Sequence, residues 1–244
     1  AWAVAGLAGV IASLLTAGLI AAVGGFPTRD MPIRSVERIY AGNGVSARVF
    51  NADVAVEVAQ RLRPSIVEVL ADTSGGEKVS GSGVVFRDDG HILTNAHVVN
   101  DASNVRVQAA DGRTMSAKIV GADLDTDIAV LKVDSAMRAA TLGSVNGLQV
   151  GQQAIAIGSP LGLAGGPSVT VGVVSALGRP FDSGDGPVLV DMIQTDAPIS
   201  PGSSGGALVD SLGNVIGITT GIAVSEAGAE GLGFATPIDV AYAV

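Results

Sequence analysis

The sequence predicts an all-β protein made of two six-stranded antiparallel β-barrels, with a transmembrane helix in front of them. Glycine accounts for 34 of the 244 residues and aromatic residues for only 3%, which is typical of short strands joined by tight turns. Beyond Pro64, the apolar residues fall into twelve short runs separated by turn signals such as Asp111-Gly112. An apolar fraction of 48% is large enough to fill the cores of both barrels.

The twelve predicted strands form two equal sets. The first set comprises residues 65–71, 79–86, 91–95, 104–109, 115–120 and 128–133, and the second comprises residues 153–158, 168–177, 188–195, 206–209, 214–220 and 232–236. A joint is expected near residues 143–150, so the two barrels are predicted to occupy residues 51–143 and 144–244. Closing each set into a barrel removes exposed strand edges. A short amphipathic helix, capped by Asn51 or Asp53, is expected to end at Pro64.

The first 28 residues are free of charge, because all 14 basic and 23 acidic residues lie at or beyond Arg29. As a helix, residues 1–23 would span about 34 Å, against a hydrocarbon core of about 30 Å. We therefore expect residues 1–25 to form a transmembrane helix and residues 26–50 to form a linker. The alternatives are a buried helix and a cleaved signal peptide, for which only Ala22-Val23-Gly24 resembles a cleavage site.

Composition excludes several function classes. A net charge of −9 argues against a nucleic-acid partner, which requires clustered Lys and Arg. The absence of cysteine excludes a disulfide framework, a thiolate metal site and a cysteine nucleophile. Asp123, Asp125 and Asp127 alternate like the start of a calcium loop, but Ile128 stands where glycine is required and Asp134 where a glutamate is expected. No metal or other cofactor is predicted.

Three residues at predicted strand ends or tight loops suit nucleophilic catalysis. A serine hydroxyl needs an imidazole to take its proton, and the imidazole needs a carboxylate on its other nitrogen. His97, Asp127 and Ser204 supply these groups, the first two from the first barrel and the third from the second. Taken singly, each has an ordinary structural interpretation: a core histidine, a turn aspartate and a flexible loop. The other histidine, His91, is expected at a solvated hairpin position.

Six segments resemble the HtrA family of chymotrypsin-fold serine proteases. They are residues 94–99, 126–131 and 202–208, with supporting stretches at 154–163, 172–179 and 231–237, and the resemblance runs from about residue 53 to 240. It implies a trypsin-like fold with His97 as general base, Asp127 as its orienting group and Ser204 as nucleophile. Ser204 is selected over its neighbour Ser203 because the family nucleophile directly precedes a Gly-Gly pair. The backbone N–H groups of Gly202 and Ser204 would form the oxyanion hole.

The resemblance also implies a substrate site. Its primary pocket would be lined by Ile199, Ile222 and Ala223, and the segment comprising Thr219, Thr220, Gly221 and Ile222 would pair with the substrate backbone. An apolar pocket without a carboxylate should reject Lys or Arg and accept small aliphatic residues before the scissile bond.

The turn at residues 200–203 suggests a switch. Pro201 and Gly202 suit a type II β-turn and tolerate type I, and the two forms differ mainly in the rotation of the peptide that carries the Gly202 N–H. Flipping this peptide would turn the oxyanion hole on or off. By resemblance, a sensor loop that follows residues 175–179 and runs through residues 181–186 would drive the flip.

The predicted function is that of a membrane-tethered, extracytoplasmic serine endopeptidase that acts on misfolded or exposed protein segments in protein quality control and the stress response. The alternatives are a catalytically silent chaperone or scaffold that holds unfolded strands in the same cleft, and non-peptidase acyl transfer. The family forms trimers, for which Tyr40 and Phe50 are candidate contacts. The sequence is expected to hold the protease domain of a membrane-anchored member without the PDZ domain that the family places after it.

Overall fold

The computed structural model describes residues 52–159, 166–182, 184, 186–222 and 232–244. The predicted transmembrane helix at residues 1–25 and the linker at residues 26–50 lie outside this part of the chain. So do the aromatic residues Tyr40 and Phe50. Within the described ranges, no helix combines the length and apolar character that crossing a bilayer requires.

The described chain begins with helix α1 (Ala52–Leu62) and a 3₁₀ turn (Arg63–Ser65), and then continues as strands. The first six strands are β1 (Ile66–Thr73), β2 (Lys78–Arg87), β3 (His91–Thr94), β4 (Ala102–Ala109), β5 (Thr114–Asp123) and β6 (Ile128–Val133). The second six are β7 (Gln153–Gly158), β8 (Ser168–Phe181), β9 (Leu189–Thr195), β10 (Ala207–Val209), β11 (Val215–Ile222) and β12 (Gly233–Pro237). Two further helices are single turns, α2 (Ala96–Val99) after β3 and α3 (Ile238–Ala241) after β12.

The strands close into two antiparallel barrels. The first barrel has the order β1-β2-β3-β6-β5-β4, and the second has the order β10-β11-β12-β9-β8-β7. The strand pairs are antiparallel throughout both barrels. The predicted all-β architecture of two closed six-stranded barrels is therefore confirmed.

A layer of aliphatic side chains joins the two barrels. Ile66, Val84 and Leu93 from the first barrel lie in one buried cluster with Ile155 and Ile218 from the second. Separate clusters fill the interior of each barrel. Full burial of a side chain of this size contributes about 1.5–3 kcal/mol. The hydrophobic cluster shared by the barrels therefore fixes the surfaces from which the candidate catalytic residues project.

Two strands run at least three residues further than the sequence pattern predicts. β5 continues to Asp123 and β8 to Phe181, whereas the apolar runs end at residues 120 and 177. The pairing of β8 with β9 shifts register three times, and Gly178 adopts a φ of +67° within it. Irregular pairing of this kind accommodates polar residues and glycine that break the alternating pattern.

Candidate active site

His97 lies on the single-turn helix α2, directly after strand β3 ends. Asn95 is extended, with φ −81° and ψ 147°, and the chain then turns into the helix. The side chains of Ala96, Val98 and Val99 are buried and anchor the helix on the first barrel. The side chain of His97 is 50% exposed. The fold therefore presents one imidazole at the surface of an otherwise buried turn.

Asp127 lies directly before β6 and holds this turn in place. Its Oδ2 atom lies 2.8 Å from Nδ1 of His97, and its Oδ1 atom accepts a hydrogen bond from the His97 backbone N–H at 2.9 Å. Its carbonyl oxygen accepts hydrogen bonds from Ala96 N–H and from Nδ2 of Asn95. Asp127 has a φ of +54°, in the left-handed region that aspartate enters more readily than most residues. Four hydrogen bonds to three consecutive residues offset this strain.

The pair of His97 and Asp127 has the arrangement required of a general base. An ionised carboxylate can only accept hydrogen bonds, so the proton of the neutral imidazole lies on Nδ1, toward Asp127. The lone pair of Nε2 is then free to accept a proton from a hydroxyl group. Because the Asp127 side chain is only 11% exposed, solvent competes weakly for this contact.

A chain of buried polar groups joins this pair to the second barrel. Nδ2 of Asn95 donates to the carbonyl oxygen of Asp127 at 2.9 Å and to Oγ1 of Thr220 at 3.2 Å. Oγ1 of Thr220 also lies 3.1 Å from Oγ1 of Thr236 on β12. Asn95 therefore connects the carboxylate-bearing turn of the first barrel with strand β11 of the second.

The loop of residues 200–206, termed the Ser204 loop, forms a tight turn in the second barrel. Ser203 N–H donates to the carbonyl oxygen of Ser200 at 2.9 Å, and Gly202 has a φ of +86°. A positive φ at the third residue identifies a type II turn. Gly205 N–H donates to the carbonyl oxygen of Thr219 at 2.7 Å, and this hydrogen bond holds the loop against β11.

The N–H groups of Gly202 and Ser204 donate no hydrogen bond to any described residue. Two unpaired donors beside a serine hydroxyl are what an oxyanion hole requires. These two N–H groups are therefore unpaired in the type II form of the turn, in which Gly202 has its positive φ.

The hydroxyl of Ser204 is directed at the second barrel. Its Oγ atom donates to the carbonyl oxygen of Thr220 at 2.9 Å. Thr220 in turn accepts from Asn95, whose amide contacts Asp127. The structure therefore places His97 and Asp127 in direct contact and links Ser204 to them through Thr220 and Asn95.

The predicted substrate segment has one edge without a strand partner. On one side, β11 pairs with β12 as far as Ile222, opposite Gly233. On the other side, its pairing with β10 ends at Ile218. Gly221 and Ile222 therefore present backbone groups along an open edge within the described residues. Such an edge suits the addition of an extended peptide strand.

The predicted pocket residues are in part described. Thr219 and Thr220 are buried, Gly221 and Ile199 are half-buried, and Ile222 is exposed. The side chain of Ile199 packs so closely on Gly233 that an added Cβ there would lie 2.7 Å from Cδ1 of Ile199. Ala223 lies outside the described residues, as do two residues of the predicted sensor loop, at positions 183 and 185.

The second histidine has no contact with these groups. Nδ1 of His91 lies 2.7 Å from Oδ1 of Asp89 in the β2–β3 hairpin, and this hydrogen bond lowers the pKa of Asp89. The ring of His91 meets the edge of Phe86 at a centroid distance of 6.1 Å. Its contacts are those of a hairpin position.

Sequence reasoning missed the residues that support the site. Asn95 lies within the family-like segment 94–99 and Ser82 within the predicted strand 79–86, but neither is among the predicted site residues. Ser82 donates its backbone N–H to Ser204 and its hydroxyl to Gly202. The available signal was the Gly81-Ser82-Gly83 sequence in the middle of a predicted strand, since glycine inside a strand often marks a close approach of another backbone.

Comparisons with known proteins agree with this geometry. Residues 81–218 match the family model described as the trypsin-like peptidase domain. "Serine protease PepD" of Mycobacterium tuberculosis is 41% identical over 207 residues, which are 76% of this chain and 44% of that protein. "Probable periplasmic serine endoprotease DegP-like" of Halomonas elongata is 49% identical over 165 residues, 67% of this chain and 34% of that protein. The chain thus spans less than half the length of these relatives.

Comparison with solved structures also shows similarity to serine proteases. The structure titled "HtrA-type protease AlgW with tripeptide" superposes with a TM-score of 0.71 at 41% identity, covering 78% of this chain and 62% of that chain. The two-barrel fold and the sequence match together place the protein in one family. The chain belongs to the trypsin-like peptidase domain family of serine proteases, with relatives of the HtrA type.

Proposed function

We propose that the chain carries the catalytic domain of an HtrA-type serine endopeptidase with Ser204, His97 and Asp127 as its triad. The observation that carries this proposal is the 2.8 Å contact between His97 and Asp127. It is supported by the N–H groups of Gly202 and Ser204, which have no hydrogen-bond partner in the described part of the chain. The names of the relatives support peptide-bond hydrolysis.

In the proposed mechanism, the Ser204 hydroxyl leaves the Thr220 carbonyl and donates instead to Nε2 of His97. As Oγ attacks the substrate carbonyl carbon, His97 takes the hydroxyl proton and Asp127 stabilises the resulting imidazolium. The substrate oxygen becomes an anion and accepts hydrogen bonds from the N–H groups of Gly202 and Ser204. His97 then gives the proton to the leaving amine, and a water molecule hydrolyses the acyl-enzyme in the same way.

The proposed substrates are unfolded or misfolded polypeptide segments. An extended chain can add to the open edge of β11 at Gly221 and Ile222, which a folded substrate cannot reach. Ile199, Ile222 and Ala223 would make the pocket apolar, which favours small aliphatic residues before the scissile bond.

The proposed location is extracytoplasmic, with residues 1–25 as a single-pass membrane anchor and the enzyme assembled as a homotrimer. The uncharged segment before Arg29 supports the anchor. The periplasmic name of the Halomonas elongata relative supports the location. The trimer rests on the family resemblance.

The test is β-casein degradation by the full chain in detergent, compared with Ser204→Ala and with Ser203→Ala as the matched control. Loss of the nucleophile should lower kcat by on the order of 10⁶-fold. Ser203→Ala should retain most of the activity, because the hydroxyl of Ser203 makes no hydrogen bond to a described residue. Equal rates for the parent chain and Ser204→Ala would refute the triad.

A fluorophosphonate probe separates the protease from a silent chaperone. The observation that favours the chaperone is the Ser204 hydroxyl, which donates to Thr220 instead of His97. Labelling of Ser204 by the probe would show that the hydroxyl reaches the imidazole. Suppression of casein aggregation with neither labelling nor cleavage would establish the chaperone.

A further inference from the structure

Ser82 on strand β2 makes a set of contacts across the two barrels that the mechanism does not use. It is fully buried, with a relative exposure of 0%. Its backbone N–H donates to the Ser204 carbonyl at 2.7 Å, and its hydroxyl donates to the Gly202 carbonyl at 2.8 Å. The same hydroxyl accepts from Ser159 N–H at 2.8 Å, and its own carbonyl accepts from the Thr94 hydroxyl at 2.7 Å.

We propose that Ser82 is a positioning residue that aims the oxyanion-hole donors of the second barrel, an inference that rests on the function proposed above. The two carbonyl groups that Ser82 holds belong to Gly202 and Ser204, the residues whose N–H groups would bind the oxyanion. The Gly202 carbonyl belongs to the 202–203 peptide and the Ser204 carbonyl to the 204–205 peptide. Holding both therefore anchors the peptides on either side of the one that carries the Ser204 N–H, and anchors one neighbour of the peptide that carries the Gly202 N–H.

The Ser82 hydroxyl fits its place closely. An added Cβ on Gly158 would lie 3.0 Å from Oγ of Ser82, and one on Gly205 would lie 2.1 Å from its carbonyl oxygen. A closely packed side chain with every polar group engaged has little freedom to move. Donors held by such a group are preorganised, so they need no rearrangement when charge develops on the substrate.

The test compares Ser82→Ala with Ser65→Ala in the full chain. Ser65 is a matched control because it is also buried, at 1% exposure, while its hydroxyl has no hydrogen-bond partner among the described residues. The measurements are kcat and KM on a fluorogenic peptide with valine before the scissile bond. A third measurement is inhibition by the matching peptide boronate, whose tetrahedral adduct occupies the oxyanion hole.

Removing one oxyanion donor outright costs about 10²- to 10³-fold in rate, so loosening two donors should lower kcat by about 10- to 100-fold. KM should stay within about twofold, and boronate inhibition should weaken in parallel with kcat. In the Ser204→Ala background, the affinity for the uncleaved peptide should not change on adding Ser82→Ala. Ser65→Ala should match the parent chain in all of these.

An unchanged kcat in folded Ser82→Ala would overturn the proposal. So would a loss of peptide affinity as large as the loss of kcat. If Ser82→Ala does not fold, Ser82→Cys keeps a weaker donor at the same place and should give an intermediate kcat. Failure of both variants to fold would assign Ser82 to folding alone. A parent chain that neither cleaves peptide nor reacts with fluorophosphonate would instead refute the proposed function, a result independent of the Ser82 variants.

Discussion

Gly205, the residue after the candidate nucleophile, lies directly against the first barrel. Its φ is +88°, and an added Cβ would lie 2.1 Å from the Ser82 carbonyl oxygen and 2.4 Å from Oγ1 of Thr94. Both contacts belong to the first barrel, whereas Gly205 belongs to the second. The substitution Gly205→Ala therefore tests how tightly the barrels fit against each other.

The cost has two parts. Forcing an L-residue into the left-handed region costs about 1–2 kcal/mol. Overpacking a closely packed site costs about 1–3 kcal/mol more, and here the main obstacle is backbone, which cannot rotate away. Gly205→Ala should therefore lower the free energy of unfolding by about 2–5 kcal/mol, a large share of the 5–15 kcal/mol typical of a domain.

Gly112 provides the matched control, since its φ is also +88° but nothing lies within 4 Å of an added Cβ. Gly112→Ala should lose only the conformational part, about 1–2 kcal/mol. Urea unfolding followed by circular dichroism measures both variants. If Gly205→Ala loses no more than Gly112→Ala, the close contact between the barrels does not exist as described.

Three other predictions concern the site and the pH dependence of stability. Asp127→Asn should lower kcat by on the order of 10⁴-fold with little change in KM, because an amide favours the wrong tautomer of the imidazole. A peptide library should show cleavage after Val or Ala and not after Lys, because the proposed pocket of Ile199 and Ile222 is apolar. Burial raises the pKa of Glu68 above its ordinary 4.5, so stability falls as pH rises from 4.5 through the raised value. Glu68→Gln should therefore raise the urea midpoint at pH 7 and leave the midpoint unchanged well below pH 4.5. The control is Glu77→Gln at an exposed position, which should leave the urea midpoint unchanged at both pH values.

An Asp127→Asn variant within tenfold of the parent kcat would mean that the carboxylate does not orient the imidazole. Efficient cleavage after Lys would require a negative charge in the pocket. A Glu68→Gln variant that is equally stabilised at low and neutral pH would show that its effect comes from packing and not from ionisation.

The strand pattern was predictable because closed barrels impose it on the sequence. Each buried strand needs an apolar run, and each hairpin needs glycine or a small polar residue where it turns. Strand β7 at residues 153–158 was predicted with its observed bounds. β8 was not, since its pairing with β9 tolerates Gly178 and the residues beyond it through shifts in register. The local sequence pattern of β8 does not reveal where its pairing with β9 shifts register, because that depends on both strands.

The candidate site was only partly predictable, for a similar reason. A histidine and an aspartate in familiar motifs could be proposed as partners, and the structure places them in contact. The direction of the Ser204 hydroxyl toward Thr220 depends on a rotamer, which the sequence does not encode locally. The proposed role of Ser82 depends on its contact with Gly202, which lies 120 positions away in the sequence. Such a contact becomes visible only after both barrels have folded.

The Ser204 loop contains no cationic side chain, but hydrogen bonds orient its peptide groups. Its carbonyl groups at Gly202 and Ser204 accept hydrogen bonds from Ser82, and the carbonyl at Ser203 accepts from Gly206 N–H and from Oγ1 of Thr219. The N–H groups of Gly202 and Ser204 remain unpaired among the described residues. Three engaged carbonyls and two N–H groups that are unpaired among the described residues give the donor arrangement that the proposed oxyanion hole needs. In the proposed mechanism, the developing negative charge is therefore stabilised by oriented backbone dipoles, so it does not require a positive overall charge on a chain whose net charge is −9.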